Sequence, residues 1–131
     1  MSSFRVENAS FARGKRILFE NICFELKEGE ILAILGQNGV GKTTFLNCLM
    51  GLLPLKSGES FCYEKNVKNY KMKELFSIIS YIPQAKNHSI GLSVLDMVVL
   101  GLNTEISTIP QKEHLQKARL CLDDLGFSHL A

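Results

Sequence analysis

Two stretches near the start of the chain alternate apolar and polar side chains. Residues 4–9 do so loosely, with Phe4 and Val6 set against Arg5 and Glu7. Residues 22–27 do so cleanly, with Ile22, Phe24 and Leu26 on one face and Cys23, Glu25 and Lys27 on the other. A period of two marks a strand with one wet face. The stretch Ala12-Arg13-Gly14-Lys15-Arg16 turns between them, so the opening reads as an antiparallel pair. After a second turn at Glu28-Gly29-Glu30 the pattern changes. Ile31-Leu32-Ala33-Ile34-Leu35 is apolar without interruption, as in a strand buried on both faces. Phe45, Leu46, Leu49, Met50 and Leu53 then recur at helical spacing, and Gly51 and Pro54 end that helix.

Further along, Lys56-Ser57-Gly58 predicts a turn and Glu59–Tyr63 a short strand. Asn66–Lys73 is a polar, lysine-rich excursion, and Glu74–Ser77 a short helical turn. Ile78-Ile79-Ser80-Tyr81-Ile82 predicts a second strand, rich in β-branched and aromatic residues and stopped by Pro83-Gln84. A polar loop, Ala85–Gly91, follows. Ser93 and Asp96 form a capping box ahead of a helix carrying Val94, Leu95, Val98 and Val99. Asn103–Ile109 is a linker. Thr108 and Gln111 predict another capping box, with Pro110 in its first turn. Leu115, Ala118, Leu122 and Leu125 mark one face of the last helix, which Gly126 caps.

Composition narrows the picture modestly. A protein of 131 residues with a hydrophobic fraction of 46% supports one core. A net charge of +2 gives no footing for nucleic acid or an anionic membrane surface, so no nucleic-acid partner is expected. No run approaches the ~20 apolar residues of a membrane span, and the N-terminus has no signal-peptide pattern. Cys23, Cys48, Cys62 and Cys121 show no metal-ligand spacing. They read as small buried hydrophobes in a reducing compartment.

The chemistry concentrates in Gly36-Gln37-Asn38-Gly39-Val40-Gly41-Lys42-Thr43-Thr44, between the apolar run and the helix. Strand, glycine loop, helix is the order in which G-x-x-x-x-G-K-[ST] holds a nucleoside triphosphate. Gly39 and Gly41 let backbone N–H groups turn toward phosphate oxygens, and the helix start adds unpaired N–H groups and its dipole. Lys42 reaches the β- and γ-phosphates as a point charge, Thr43 offers Mg²⁺ a hard hydroxyl oxygen, and Thr44 adds a phosphate contact.

With these motifs in place the protein resembles the ATP-binding subunits of ABC transporters over nearly its whole length. Asn8-Ala9-Ser10-Phe11 and Ile22–Glu30 look like that family's antiparallel subdomain, and Gly36–Thr44 like its Walker A loop. Pro54-Leu55-Lys56-Ser57-Gly58-Glu59 is similar to the stretch after the Walker A helix, and Tyr81-Ile82-Pro83-Gln84 to the Q-loop entry. Leu92–Gly101 looks most like importers of iron–siderophore, haem, cobalamin and metal ions. The resemblance implies an α/β P-loop NTPase fold of the ABC type. It would contain an antiparallel β-subdomain, an incomplete mixed sheet with the Walker A helix, and part of a helical subdomain. The divisions would be 1–29, 30–84 and 85–131 of a single incomplete domain. It implies ATP and Mg²⁺ as cofactors, with Gln84 as a second metal ligand through its amide oxygen. A membrane permease and a second ATP-binding subunit are the implied partners, at the cytoplasmic face of the cell membrane.

The sequence departs from the family in two respects. Where the family usually places an aromatic to stack on adenine, this protein has Arg13, whose guanidinium plane can also stack on a base; Phe11 lies two residues back. The signature motif, the Walker B strand with its catalytic Glu, and the switch histidine are absent from residues 1–131. His88, His114 and His129 stand in none of those places. No catalytic residue is therefore assigned, and weak or no hydrolysis is expected of these residues alone. The other readings are a soluble ABC protein without a permease, a nucleotide-binding fragment without catalysis, and a different P-loop enzyme. The strands before the loop and the Pro83-Gln84 pair argue against the last.

Overall fold

The computed structural model describes residues 2–84, 91–102 and 112–130. Two compact units divide the protein, Met1–Ile78 and Ile79–Ala131.

The first unit is built on a hairpin of two long strands, β1 (Ser2–Arg13) and β2 (Arg16–Lys27), each 12 residues. Gly14 opens their turn at φ 59°, where a two-residue hairpin places glycine. Both strands run further than the alternation alone implied, through a paired irregularity. Asn8 (φ 48°) and Asn21 (φ 51°) interrupt the register near Ala9↔Ile22. Side chains take up the backbone groups freed there. Asn8 N–H donates to Cys23 Sγ (3.1 Å), the Cys23 thiol donates to Asn8 Oδ1 (3.2 Å), and Asn21 N–H donates to Ser10 Oγ (2.9 Å).

β3 (Ser57–Cys62) and the two-residue β4 (Lys65–Asn66) complete a sheet of order β2-β1-β3-β4, antiparallel throughout. Tyr63 and Glu64 turn between β3 and β4 with both φ values positive, a conformation that Asn-Gly suits better. A 3-10 turn, Val67–Asn69, and helix α2 (Met72–Ile78) follow. Lys65 Nζ donates to Glu74 Oε1 (2.8 Å), and Lys68 donates to Glu59. Both carboxyls are held below their ordinary range by these lysine hydrogen bonds.

Helix α1 (Lys42–Leu49) lies on the sheet through Phe45, which is buried with Val6, Ala9 and Leu49. Phe19 meets the Phe45 ring edge-on at 4.9 Å and Phe24 does so at 6.3 Å, while Phe11 stacks on Phe19 at 6.0 Å.

The apolar runs behave differently from the sequence expectation. Neither Ile31–Leu35 nor residues 79–82 form a strand, and Ile78 ends α2. Ile34 packs against the core, but Ile31 is 96% and Leu35 90% exposed, and Ile82 is 91% exposed. A strand buried on both faces needs hydrogen-bonded neighbours on both edges, and neither run is paired into the sheet of the described residues.

In the second unit, α3 (Val94–Gly101) starts at the expected capping box. Asp96 N–H donates to Ser93 Oγ (3.1 Å) and Ser93 N–H to Asp96 Oδ2 (3.2 Å). α4 (Lys112–Asp124) packs against it, with Val99, Ala118 and Leu122 buried. Leu125, expected on that face, is exposed because it lies past the helix end. Gly126 (φ 76°) closes α4. Its N–H donates to Asp123 O (3.0 Å) and that of Phe127 to Leu122 O (2.7 Å), the paired bonds of a Schellman cap. The capping box at Thr108 and Gln111 and the proline Pro110 lie outside the described residues.

The cysteines divide in pairs. Cys48 and Cys62 are buried, and burial pushes both thiols up from their ordinary value. Cys23 and Cys121 are exposed, against the expectation of four buried thiols, because each falls on the polar face of its element. Iodoacetamide at neutral pH is expected to label Cys23 and Cys121 well ahead of the buried pair. Equal rates at all four, read by peptide mass, would mean the first unit is not closed in this way.

Candidate functional site: the glycine loop and the start of α1

Residues 36–41 run from the apolar stretch into α1 with two glycines in the left-handed region, Gly39 at φ 80° and Gly41 at φ 116°. Gly41 is the N-cap, and the helix start receives no hydrogen bond from a capping side group. The N–H groups of the first turn therefore stay open toward solvent, with the positive end of the dipole behind them. Gly41 also backs onto β2: a Cβ there would lie 3.4 Å from Cβ of Leu18, an ordinary van der Waals contact, so the φ of 116° is what calls for glycine. Gly36 is closely packed too, since its Cβ would lie 3.0 Å from Val40 Cγ1.

Lys42 opens the helix, and its side chain folds back over the loop. Nζ donates to Gly36 O (2.6 Å) and Gln37 O (2.9 Å). Val40 N–H donates to Gln37 O (3.3 Å), which closes a turn over Asn38 and Gly39. Phe45 N–H donates to Gly41 O (2.8 Å), the first full helical bond. The ammonium thus sits among backbone dipoles next to the uncapped helix start, a pairing of charge and N–H groups suited to phosphate oxygens. Thr43 is exposed and Thr44 half-buried on the same first turn. An apolar cavity of about 350 Å³ flanks the loop, lined by Leu18, Phe19, Phe24, Ile34 and Gly41 with Lys42 at its edge.

The structure brings Gly36–Thr44 together as one element. Arg13 is exposed at the end of the hairpin, paired with Arg16 across the turn. Phe11 is committed to its stack on Phe19. Gln84 is exposed in a segment of the second unit outside helix and strand. Two residues that shape the loop's surroundings were invisible in the sequence. Leu18 looks like any strand leucine, yet it abuts Gly41. Gly58, read as a turn glycine, holds β3 against β1: a Cβ there would lie 2.3 Å from Asn8 O.

A phosphate-binding loop feeding a helix that packs on a sheet through an aromatic seat defines a P-loop nucleotide-binding protein. The family is narrower. The model of the ABC transporter family matches residues 19–131, and the protein belongs to that family. It is 34% identical over 128 residues to a probable iron chelatin transport ATP-binding protein of Helicobacter pylori, covering 95% of this sequence and 50% of that one. It is 36% identical to the molybdate import ATP-binding protein MolC of Haemophilus influenzae, covering 96% and 46%. Among solved structures, a metal-chelate type ABC transporter in an inward-facing conformation superposes with a TM-score of 0.80 at 34% identity, covering 99% of this sequence and 47% of that one. The protein spans about half the length of these relatives. Among the described residues, no helix is long and apolar enough to cross a membrane.

Proposed function

We propose that residues 36–44 bind the triphosphate of ATP with Mg²⁺, and that the intact protein is the ATP-binding subunit of an importer. The observation that carries the binding claim is the loop itself. Lys42 Nζ, two left-handed glycines and an uncapped helix start converge on one surface. In this reading the N–H groups of Gln37, Asn38, Gly39, Gly41 and Thr44 and the Gly36 turn surround the phosphates, Val40 holds the loop's shape through its N–H bond to Gln37 O, and Lys42 neutralises the phosphate charge. The Thr43 hydroxyl, a hard oxygen exposed on the first turn of α1, would serve as a ligand to a hard cation. Bound Mg²⁺ would offset phosphate charge, and no residue among these 131 is assigned as the hydrolytic base. The importer reading follows relatives whose names cite iron chelatin and molybdate transport. With it come a membrane permease, a second ATP-binding subunit and a place at the inner face of the membrane.

Calorimetric titration with ATP, with and without Mg²⁺, tests the core of this. Affinity is expected to rise with Mg²⁺, and Thr43→Ala is expected to lose most of that rise; Mg²⁺-independent affinity in both proteins would remove Thr43 from the metal site. Arg13 is assigned to the adenine ring. Arg13→Ala is expected to weaken ATP about fivefold and leave inorganic triphosphate unaffected, on the scale of ~1 kcal/mol for a guanidinium on an aromatic face. Unchanged ATP affinity would remove Arg13 from the site.

A further inference from the structure

The sequence contains one Asn-Gly pair, Asn38-Gly39, and the fold puts it at the tip of the glycine loop. We propose that Asn38 is a site of spontaneous deamidation, and that the change disables the loop for anionic ligands.

The placement favours the reaction. Asn38 is exposed. Gly39 has no Cβ to crowd the approach, and a Cβ built there meets nothing within 4 Å. Among the described residues, neither the Asn38 carboxamide nor the Gly39 N–H has a hydrogen-bond partner. The turn over Asn38 and Gly39, which must open for the Gly39 nitrogen to reach the carboxamide, is closed by the long bond from Val40 N–H to Gln37 O at 3.3 Å, while Lys42 Nζ ties down Gly36 O and Gln37 O ahead of it. Other asparagines are differently held. Asn47 lies inside α1, and Asn21, in β2, is followed by β-branched Ile22.

In the reaction the Gly39 backbone nitrogen gives up its proton to solvent base and attacks Cγ of Asn38. The new N–C bond closes a five-membered imide, the bond from Cγ to Nδ2 breaks, and ammonia leaves. Water then adds to either carbonyl of the imide, giving aspartate or isoaspartate. Both products place a carboxylate where the loop's N–H groups face outward, and it repels phosphate oxygens. Isoaspartate also adds a carbon to the backbone between Asn38 and Gly39, which re-aims the N–H groups that follow. A nucleotide whose phosphate accepts the Gly39 N–H holds the attacking nitrogen in place, so ligand and deamidation oppose each other. That last step and the loss of binding rest on the nucleotide reading above; the modification itself does not.

The test ages residues 1–131 in mildly alkaline buffer, with and without ATP and Mg²⁺. Peptide mapping and enzymatic isoaspartate methylation follow each asparagine, and calorimetry follows ATP affinity. Isoaspartate is expected at Asn38 well before Asn47 or Asn21, severalfold more slowly with ATP, and not at all in Asn38→Gln. Aged protein is expected to bind ATP about tenfold more weakly than fresh protein. Asn38 keeping its amide as long as Asn47 would overturn the proposal. So would aged, modified protein that binds ATP like fresh protein. Fresh protein with no affinity for ATP would instead overturn the nucleotide reading, and the peptide map would still decide the modification.

Discussion

Lys42→Ala is expected to weaken ATP binding by about 100-fold or more while shifting stability by no more than ~1 kcal/mol. The lysine is half-buried, and its ammonium contacts are the carbonyls of Gly36 and Gln37. It contributes nothing to the aromatic seat around Phe45, so the fold has little to lose. Binding has much more to lose. An ammonium against phosphate makes charge-assisted bonds worth ~1.5–3 kcal/mol each, and two of them account for the expected loss. Lys42→Arg is expected to recover only part of it, because a planar guanidinium is too broad to stand where a point charge lies between two carbonyls 2.6 and 2.9 Å away. Calorimetry with ATP and thermal melting by circular dichroism, run on the same samples, separate the two effects. An alanine variant that binds ATP like the parent would move the phosphate site away from Gly36–Thr44.

Gly58→Ala is expected to cost the first unit about 3 kcal/mol or more of stability. Two penalties add. Gly58 sits at φ 85°, a region in which a side chain is strained. The added Cβ would also lie 2.3 Å from Asn8 O and 2.4 Å from both Asn8 C and Glu7 O. These are backbone atoms and cannot swing aside. The register between β1 and β3 shifts at this point, between Glu7↔Glu59 and Ser10↔Ser57, so the clash falls where the strands already depart from regular pairing. Gly14→Ala is the control. Its φ is 59°, but a Cβ would meet nothing within 4 Å, so only the conformational cost of about 1 kcal/mol applies. Urea denaturation of both variants decides the matter. Equal losses would mean that β1 and β3 do not approach as closely as described.

What could be read in the sequence was whatever a local pattern determines. The hairpin, the capping box at Ser93, the glycine cap at Gly126 and the loop from Gly36 to Thr44 all depend on neighbours within a few residues, and all are present. Ile31–Leu35 shows the limit. Its composition reported a wish to be buried but said nothing of which strands would flank it, and pairing is a property of residues far away in sequence. Cys23 shows a subtler one. The alternation that placed Ile22 and Phe24 inward already put Cys23 on the outer face, and its apolar neighbours in sequence hid this. The contact between Leu18 and Gly41 joins residues whose sequence separation exceeds any motif, so no local signal announced it.

That contact extends the loop's demands to a residue outside it. Glycine at 41 is called for by φ 116°, and the Leu18 side chain lies at its back within van der Waals reach. Leu18 also lines the apolar cavity beside the loop, so a change at position 18 alters both the support behind Gly41 and the cavity wall. Selection for binding at the glycine loop thereby reaches into strand β2, at a site where strand propensity alone would accept tryptophan as readily as leucine.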